Sequence, residues 1–366
     1  QPAAMEDPPA PHRVFPDEVS IWEILVRLPP KSLLRCRAIC RAWRGATSTR
    51  DFLLAHHARQ PTLPILRGYN NVNGLSLDVT LFDHRAGVAA ADRLQSVAQL
   101  GVGHAYFILT SCYNGLLVFS IDYDYFCICN PATRQYALLP LLSQFDVMGM
   151  YPHTPTGDYR LLMAPKAQDG AYIYTLGSSQ PPRCIDIQCS HVDQVIWASG
   201  IVMFHGSIHW CIENMIIVFD TTAESFRQMH TPIDPDGADI FEMDGMLSMS
   251  IFNDAMISID IWMTRDYESE VWALKYRVEL PVAELTNQFG NFNKLWWLVV
   301  MSSEGDVLVL VKFGKRVLQI GVHGKLVASI HCGDTGPTRL RFKQTLVSHT
   351  FFPTLEGYVV NAPPFI

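Results

Sequence analysis

Two stretches of this chain, 91 residues apart, follow one pattern, and that pattern restricts the fold more than any other feature. Asn114-Gly115-Leu116-Leu117-Val118-Phe119 is matched by His205-Gly206-Ser207-Ile208-His209-Trp210. Downstream, Asn130-Pro131-Ala132-Thr133-Arg134-Gln135-Tyr136 is echoed by Asp220-Thr221-Thr222-Ala223-Glu224-Ser225-Phe226. The glycine precedes the Asn or Asp turn by 15 residues in one copy and 14 in the other. A weaker strand–turn–strand unit, residues 157–163 into 171–176, lies between them, so each period is about 45 residues, the length of a four-stranded propeller blade. Further units follow at 257–278 and 305–330, and the 306 residues after Gln60 hold six or seven such blades. Each glycine permits a tight turn or a close strand approach, and a ring of blades protects its sheet edges. Closure must join the two ends of the repeat region. The strand at Tyr358-Val359-Val360 is expected to complete a blade begun near Ile65 or Leu77.

The first sixty residues have a different period. Residues 15–43 read as two short amphipathic helices broken at Leu28-Pro29-Pro30. Ile21, Ile24, Leu25 and Leu28 recur at i, i+3, i+4, i+7, and Val19, Trp22 and Val26 form a second stripe. Leu33, Cys36, Cys40 and Trp43 repeat the pattern, with Leu34 and Ile39 beside them. A helical unit of about 45 residues cannot cover two apolar faces by itself, so it predicts a partner. A last helix is expected at 51–59. Pro61 and Pro64 then end helical structure, and from there the alternation is that of strands.

The helical segment resembles the F-box, the module that docks a substrate receptor onto the adaptor subunit of a cullin-RING ubiquitin ligase. The matching residues are Phe15-Pro16-Asp17-Glu18, Glu23-Ile24-Leu25, Arg27-Leu28-Pro29, and Lys31-Ser32-Leu33-Leu34-Arg35-Cys36-Arg37 followed by Cys40 and Trp43. Phe15 stands where Leu is usual. The remaining chain resembles the kelch-like F-box-associated region of plant F-box proteins, through Asn114-Gly115-Leu116-Leu117, Asn130-Pro131-Ala132-Thr133-Arg134, Phe219-Asp220-Thr221 and Leu355-Glu356-Gly357-Tyr358.

The resemblance implies a multidomain chain: a flexible tail over 1–12, an all-α F-box over 13–59, and an all-β propeller of six or seven four-stranded blades over 60–366. It also implies a non-catalytic receptor subunit of an SCF-type ligase. Phe15, Pro16, Ile24, Leu25, Leu28, Pro29, Leu33 and Leu34 would contact the adaptor, and through it cullin, while Cys36, Cys40 and Trp43 would lie inside the module. The propeller would bind a protein target that the sequence does not name. A ligase-independent F-box scaffold and a ligand- or sugar-binding propeller are the alternatives. A central-channel cluster of carboxylates or exposed tryptophans would mark the latter.

Charge and motifs narrow the remaining classes. Net charge is −7. Residues 13–60 hold nine Lys/Arg against four Asp/Glu, whereas residues 61–366 hold 19 against 29. Arg37, Arg41 and Arg44 recur at i, i+4, i+7 and read as a solvated basic face that steers toward an acidic protein. Without interleaved aromatic platforms or a second basic patch, nucleic acid is disfavoured.

No apolar run reaches the 18 residues of a membrane span, and residues 1–11 lack the basic start and apolar core of a signal peptide. A location in the cytoplasm, the nucleus or both is expected. The nine cysteines include no C-x-x-C pair, so neither zinc nor any other cofactor is expected. There is no G-x-S-x-G, no H-E-x-x-H, and no phosphate loop, since Gly324-Lys325 runs into Leu326 and Gly314-Lys315 into Arg316. In the acidic stretch Asp234-Pro235-Asp236-Gly237-Ala238-Asp239 the glycine is fourth, not sixth as calcium loops require, and the stretch reads as a solvated loop. Trp210, Trp262, Trp272, Trp296 and Trp297 read as core.

Overall fold

The computed structural model describes residues 19–70, 75–85, 92–139, 142–167, 169–187, 192–197, 200–212, 214–233, 238–253, 257–290, 297–303 and 305–366. The chain divides into two compact units, Gln1–Gln60 with Thr345–Val347, and Pro61–Gln344 with Ser348–Ile366.

The first unit is helical, but not uniformly α-helical. Ser20–Ile24 is a π-helical turn and Leu25–Arg27 a 3-10 turn, followed by α-helices at Pro30–Ile39, Arg41–Thr47 and Arg50–Arg59. Pro30 occupies the first helical position, where its missing N–H costs nothing. The Thr49 hydroxyl caps the last helix by accepting from the Phe52 N–H at 3.4 Å.

Because residues 20–27 wind first wider and then tighter than an α-helix, the α-periodic stripes expected there are broken. Val26 is buried although its stripe partners Val19 and Trp22 stay about 40% exposed, and Ile24 is 49% exposed beside a buried Leu25. The interior holds Leu25, Val26, Leu33, Phe52 and Leu53, with the Trp22 ring lying 5.5 Å from that of Phe52.

The second unit is a ring of six four-stranded blades, one of which gains a short fifth strand among the described residues. Six, not seven, is the blade number. The inner strands are Gly336–Phe342 in blade 1, Phe107–Tyr113 in blade 2 and Phe145–His153 in blade 3. Val202–Phe204, Asp239–Met243 and Trp297–Ser303 serve blades 4, 5 and 6. Each blade is sandwiched between neighbours, so its middle strands are apolar on both faces. Leu116–Ile121 is buried along nearly its whole length, which explains its continuous run of hydrophobic residues.

The repeat seen in the sequence is a pair of turns. The hairpin from the inner to the second strand carries two successive positive-φ residues: Asn114 and Gly115 (45° and 82°), His205 and Gly206 (46° and 70°), Asp244 and Gly245 (53° and 71°). These are type I′ geometries, for which glycine at the second position is favoured. In the outer turn, Asn130 Oδ1 accepts from the Ala132 and Thr133 amides at 3.1 and 3.4 Å, and Asp220 Oδ1 from Thr222 and Ala223 at 2.8 and 2.7 Å. Arg134 and Glu224 then take positive φ. A third copy, unread in the sequence, runs from Asp266, whose Oδ1 accepts from Glu268 and Ser269, to Glu270.

Ring closure differs from the expectation. Blade 1 is completed by Gly336–Phe342, which pairs antiparallel with Leu63–Asn70, placing Phe342 opposite Leu63 and Gly336 opposite Arg67. Gly68 lies against the residue that precedes the closing strand: a Cβ there would lie 2.5 Å from Thr335 Cγ2 and 2.9 Å from its Cα. Val359–Val360 instead pairs with Gln135–Leu138 as the outermost, fifth strand of blade 2.

The end of the chain continues along the outer edge of blade 1, where Pro364 O accepts from the Gly101 N–H at 2.9 Å and the Ile366 N–H donates to Gln99 O at 3.0 Å. The closing strand must join the ring of inner strands, and Phe342, only 1% exposed, is built for that place. The tail carries Pro363 and Pro364, which lack the amide donors of an interior strand and suit an edge.

Candidate functional site

In the helical unit, Phe15 and Pro16 lie outside the described residues. Of the other residues expected to contact a partner, Ile24 and Leu34 are exposed by 49% and 39%. Pro29 is exposed and Leu28 half-buried. Leu25 and Leu33 are interior, at 3% and 0%, so their assignment to a contact surface is corrected to core. The tight turn at Leu25–Arg27 turns Leu25 inward, and Leu33 faces the packed side of Pro30–Ile39. Cys36, Cys40 and Trp43 are half-buried. The exposed apolar residues of the entry segment are therefore Val19, Trp22 and Ile24, and Leu34 is exposed on the following helix.

Buried polar contacts hold the break between the helices. His56 Nε2 donates to the Leu28 carbonyl at 2.8 Å, and Gln60 Nε2 donates to the same oxygen at 3.1 Å. Burial of the His56 ring pushes its pKa down, against the pull of the Leu28 carbonyl, and favours the neutral form. Arg37, expected on a solvated face, instead donates from Nε to Thr47 Oγ1 at 2.9 Å and from Nη2 to the Thr47 carbonyl. Desolvation and then the Arg44 charge lower its pKa. Arg41 and Arg44 are exposed.

In the propeller, the inner strands line a channel holding two cavities, of about 220 and 300 Å³. Two acidic side chains of the inner strands are paired with arginines of the closing strand. Asp239 lies 2.5 Å from Arg339, and Glu242 lies 3.2 Å from Arg341, whose Nη1 also donates to the Ser302 carbonyl at 2.5 Å. Burial outweighs the Arg339 charge at Asp239 and holds that carboxyl above the usual range. Asp239 thus belongs to an inner strand, not to a solvated loop, while residues 234–237 lie outside the described residues.

Trp297, read as core, is 49% exposed and lines the larger cavity; Trp210 is buried there, its Nε1 donating to Met148 O at 3.3 Å. Trp262 and Trp272 are half-buried against the blade 4–5 core, and Trp296 lies outside the described residues. The channel residues come from strands more than 200 positions apart, and no local spacing announces them.

The other polar clusters join blades. Glu224 accepts from Tyr151 Oη at 2.7 Å and Arg160 Nη1 at 2.5 Å, and from Arg183. Burial alone would raise its pKa, but the Tyr151 and Arg160 hydrogen bonds and the two arginine charges hold it below the usual carboxylate range. His209 is fully buried. Its Nδ1 donates to Ser207 O at 3.2 Å and its Nε2 accepts from Tyr267 Oη at 2.7 Å, while Arg227 donates to that same phenol oxygen at 2.7 Å. His205 stacks on Phe204 with ring centroids 3.9 Å apart. Cys127 and Cys129 pack in the core, and burial pushes the Cys127 thiol up to about 12. Among the described residues, no group of three or more His, Cys, Asp and Glu is placed to hold a metal ion, and no helix is long and apolar enough to cross a membrane.

A short helical unit with an exposed apolar rim, followed by a closed six-bladed propeller, defines the class of F-box propeller proteins. The chain belongs to the F-box associated beta propeller domain family, which it matches over residues 89–320, and residues 15–59 match the F-box-like family. Among its relatives in Arabidopsis thaliana is F-box protein At5g49610, 25% identical over 73% of this chain and 79% of that protein. F-box protein At1g30790 is 23% identical over 81% of this chain and 80% of its own length. The putative F-box/kelch-repeat protein At1g12870 is 23% identical over 77% and 74%. The chain is thus a plant-type F-box protein with a propeller domain.

Proposed function

We propose that this protein is a non-catalytic substrate receptor of an SCF-type cullin-RING ubiquitin ligase. Its F-box docks the adaptor, and through it cullin, while the propeller holds a target protein for ubiquitin transfer by other subunits. The observation that carries this reading is the exposed apolar set Val19, Trp22, Ile24 and Leu34 beside a core of Leu25, Val26, Leu33, Phe52 and Leu53. Ile24, Leu28, Pro29 and Leu34, with Phe15 and Pro16 ahead of them, form the proposed contact. Asp239 and Glu242 of the channel are each paired with an arginine of the closing strand.

Capture of the purified full chain by the purified adaptor subunit tests the reading. The double variant Leu28→Ala, Pro29→Ala is expected to lose capture while its propeller unfolds at the wild-type temperature. Truncating central anchors commonly costs at least about 2 kcal/mol of binding. Undiminished capture by the folded double variant refutes the assignment.

A further inference from the structure

We propose that the channel mouth beside Arg67 binds an acidic peptide segment, with a carboxylate seated on the Arg67 guanidinium and neighbouring side chains laid against a tyrosine stack. This deepens the receptor reading above and rests on it, by assigning the place and chemistry of target recognition.

The larger cavity, about 300 Å³, opens at the end of the channel where the inner strands begin. It is lined by Arg67, Ile108, Val147, Ile201 and Trp297, and by Arg339, which also lines the smaller cavity. Arg339 is committed to Asp239. Arg67 is not committed: it is half-buried, and among the described residues its guanidinium makes no hydrogen bond or ion pair, its charge reaching only the Tyr69 phenol. A guanidinium partly withdrawn from water, beside Ile108, Val147 and Ile201 and without an acceptor, is costly to leave so. A carboxylate matches its two parallel donors.

The surroundings supply the rest of a peptide site. Tyr69 follows Arg67 by two residues on the same strand, so both point to one face. Its ring stacks on Tyr106 with centroids 4.7 Å apart, and Tyr106 lies 6.3 Å from Tyr123, which is 65% exposed. The Asp122 carboxylate on the same turn is taken by the Tyr106 amide at 2.8 Å. The stack therefore leads from solvent toward the free cation. Tyrosines provide contact area at low entropic cost.

Charge separates a peptide from a nucleic acid. The region holding the propeller carries 29 Asp/Glu against 19 Lys/Arg, a field that disfavours any long anion, so the attraction is local to Arg67. A polyphosphate chain would need several cations along its path, whereas one carboxylate needs one.

The test uses the full chain and a fluorescein-labelled random copolymer of Glu and Tyr, with a Lys and Tyr copolymer as comparator, read by fluorescence anisotropy. The wild type is expected to bind the Glu/Tyr copolymer saturably and the Lys/Tyr copolymer at least about tenfold more weakly. Arg67→Gln should weaken acidic binding by about tenfold. Tyr123→Ala, a surface change that leaves the fold intact, should weaken it about threefold. Arg265→Gln, an exposed residue at the opposite end of the ring, should leave it unchanged.

No saturable binding, equal binding of both copolymers, or unchanged binding by both Arg67→Gln and Tyr123→Ala overturns the proposal. Adaptor capture is measured on the same preparations. A wild type that captures adaptor but ignores the acidic probe refutes this inference alone. One that binds the probe without capturing adaptor supports this site and refutes the ligase reading.

Discussion

Phe342→Ala tests which strand closes the ring. Phe342 is 1% exposed and packs in the blade 1–2 core with Leu63, Ile65 and Phe107. Its removal leaves a cavity between the closing strand and the strand that opens the propeller. Deletion of a buried phenylalanine ring costs about 3–5 kcal/mol. In a domain of this size each kcal/mol lowers the melting temperature by about 2–4 °C, so a fall of roughly 10 °C is expected.

Val360 sits on the outermost strand of blade 2 at 46% exposure, and Val360→Ala should shift stability by no more than about 0.5 kcal/mol. Deleting residues 355–366 should uncover the outer edges of blades 1 and 2 and lower stability. The single cooperative transition of the propeller should persist, because the inner ring stays closed. Thermal and urea unfolding followed by β-sheet circular dichroism provides the measurement. If Phe342→Ala costs under about 1 kcal/mol, or Val360→Ala costs as much as Phe342→Ala, closure by Gly336–Phe342 is refuted.

Leu33→Ala should destabilise the helical unit by about 2–5 kcal/mol, whereas Leu34→Ala should leave it folded and weaken adaptor capture; the reverse pattern in thermal scans and pull-downs would invert the assignment of core and surface. Burial sets the His209 pKa to about 4, below the ordinary value of about 6.5 for an unfolded chain, so below pH 6.5 the native state binds fewer protons than the unfolded chain. Its contribution, about 3 kcal/mol, is present above pH 6.5 and lost progressively toward pH 4; His209→Gln should flatten that part of the stability–pH curve. Glu224→Ala strands the Tyr151 hydroxyl and the largely buried Arg160, and should cost about 3 kcal/mol, read as a lower urea midpoint at unchanged slope. Higher ionic strength should slow association with the adaptor far more than it speeds dissociation, because exposed Arg35, Arg41 and Arg44 steer the encounter; stopped-flow kinetics at two salt concentrations separate the two rates.

What the sequence determined by itself is what local chemistry enforces. The Asn114-Gly115 and His205-Gly206 pairs report positive-φ turns, and the Asn130 and Asp220 carboxamide and carboxylate report amide-capping turns. Their spacing counts strands without reference to anything distant. The helical unit was legible for the same reason, since Pro29-Pro30 break the chain wherever it sits.

Tertiary structure decided the rest. Whether Leu25 faces a partner or a core depends on π and 3-10 winding that an α-period cannot reveal. Which strand closes the ring depends on which apolar residue fits among the inner strands, and Phe342 does so while Val360 remains at an edge. Arg67, Trp297 and Arg339 become one site only when blades 1 and 6 are brought to a common axis. A channel is a property of closure, and no segment of the chain contains it.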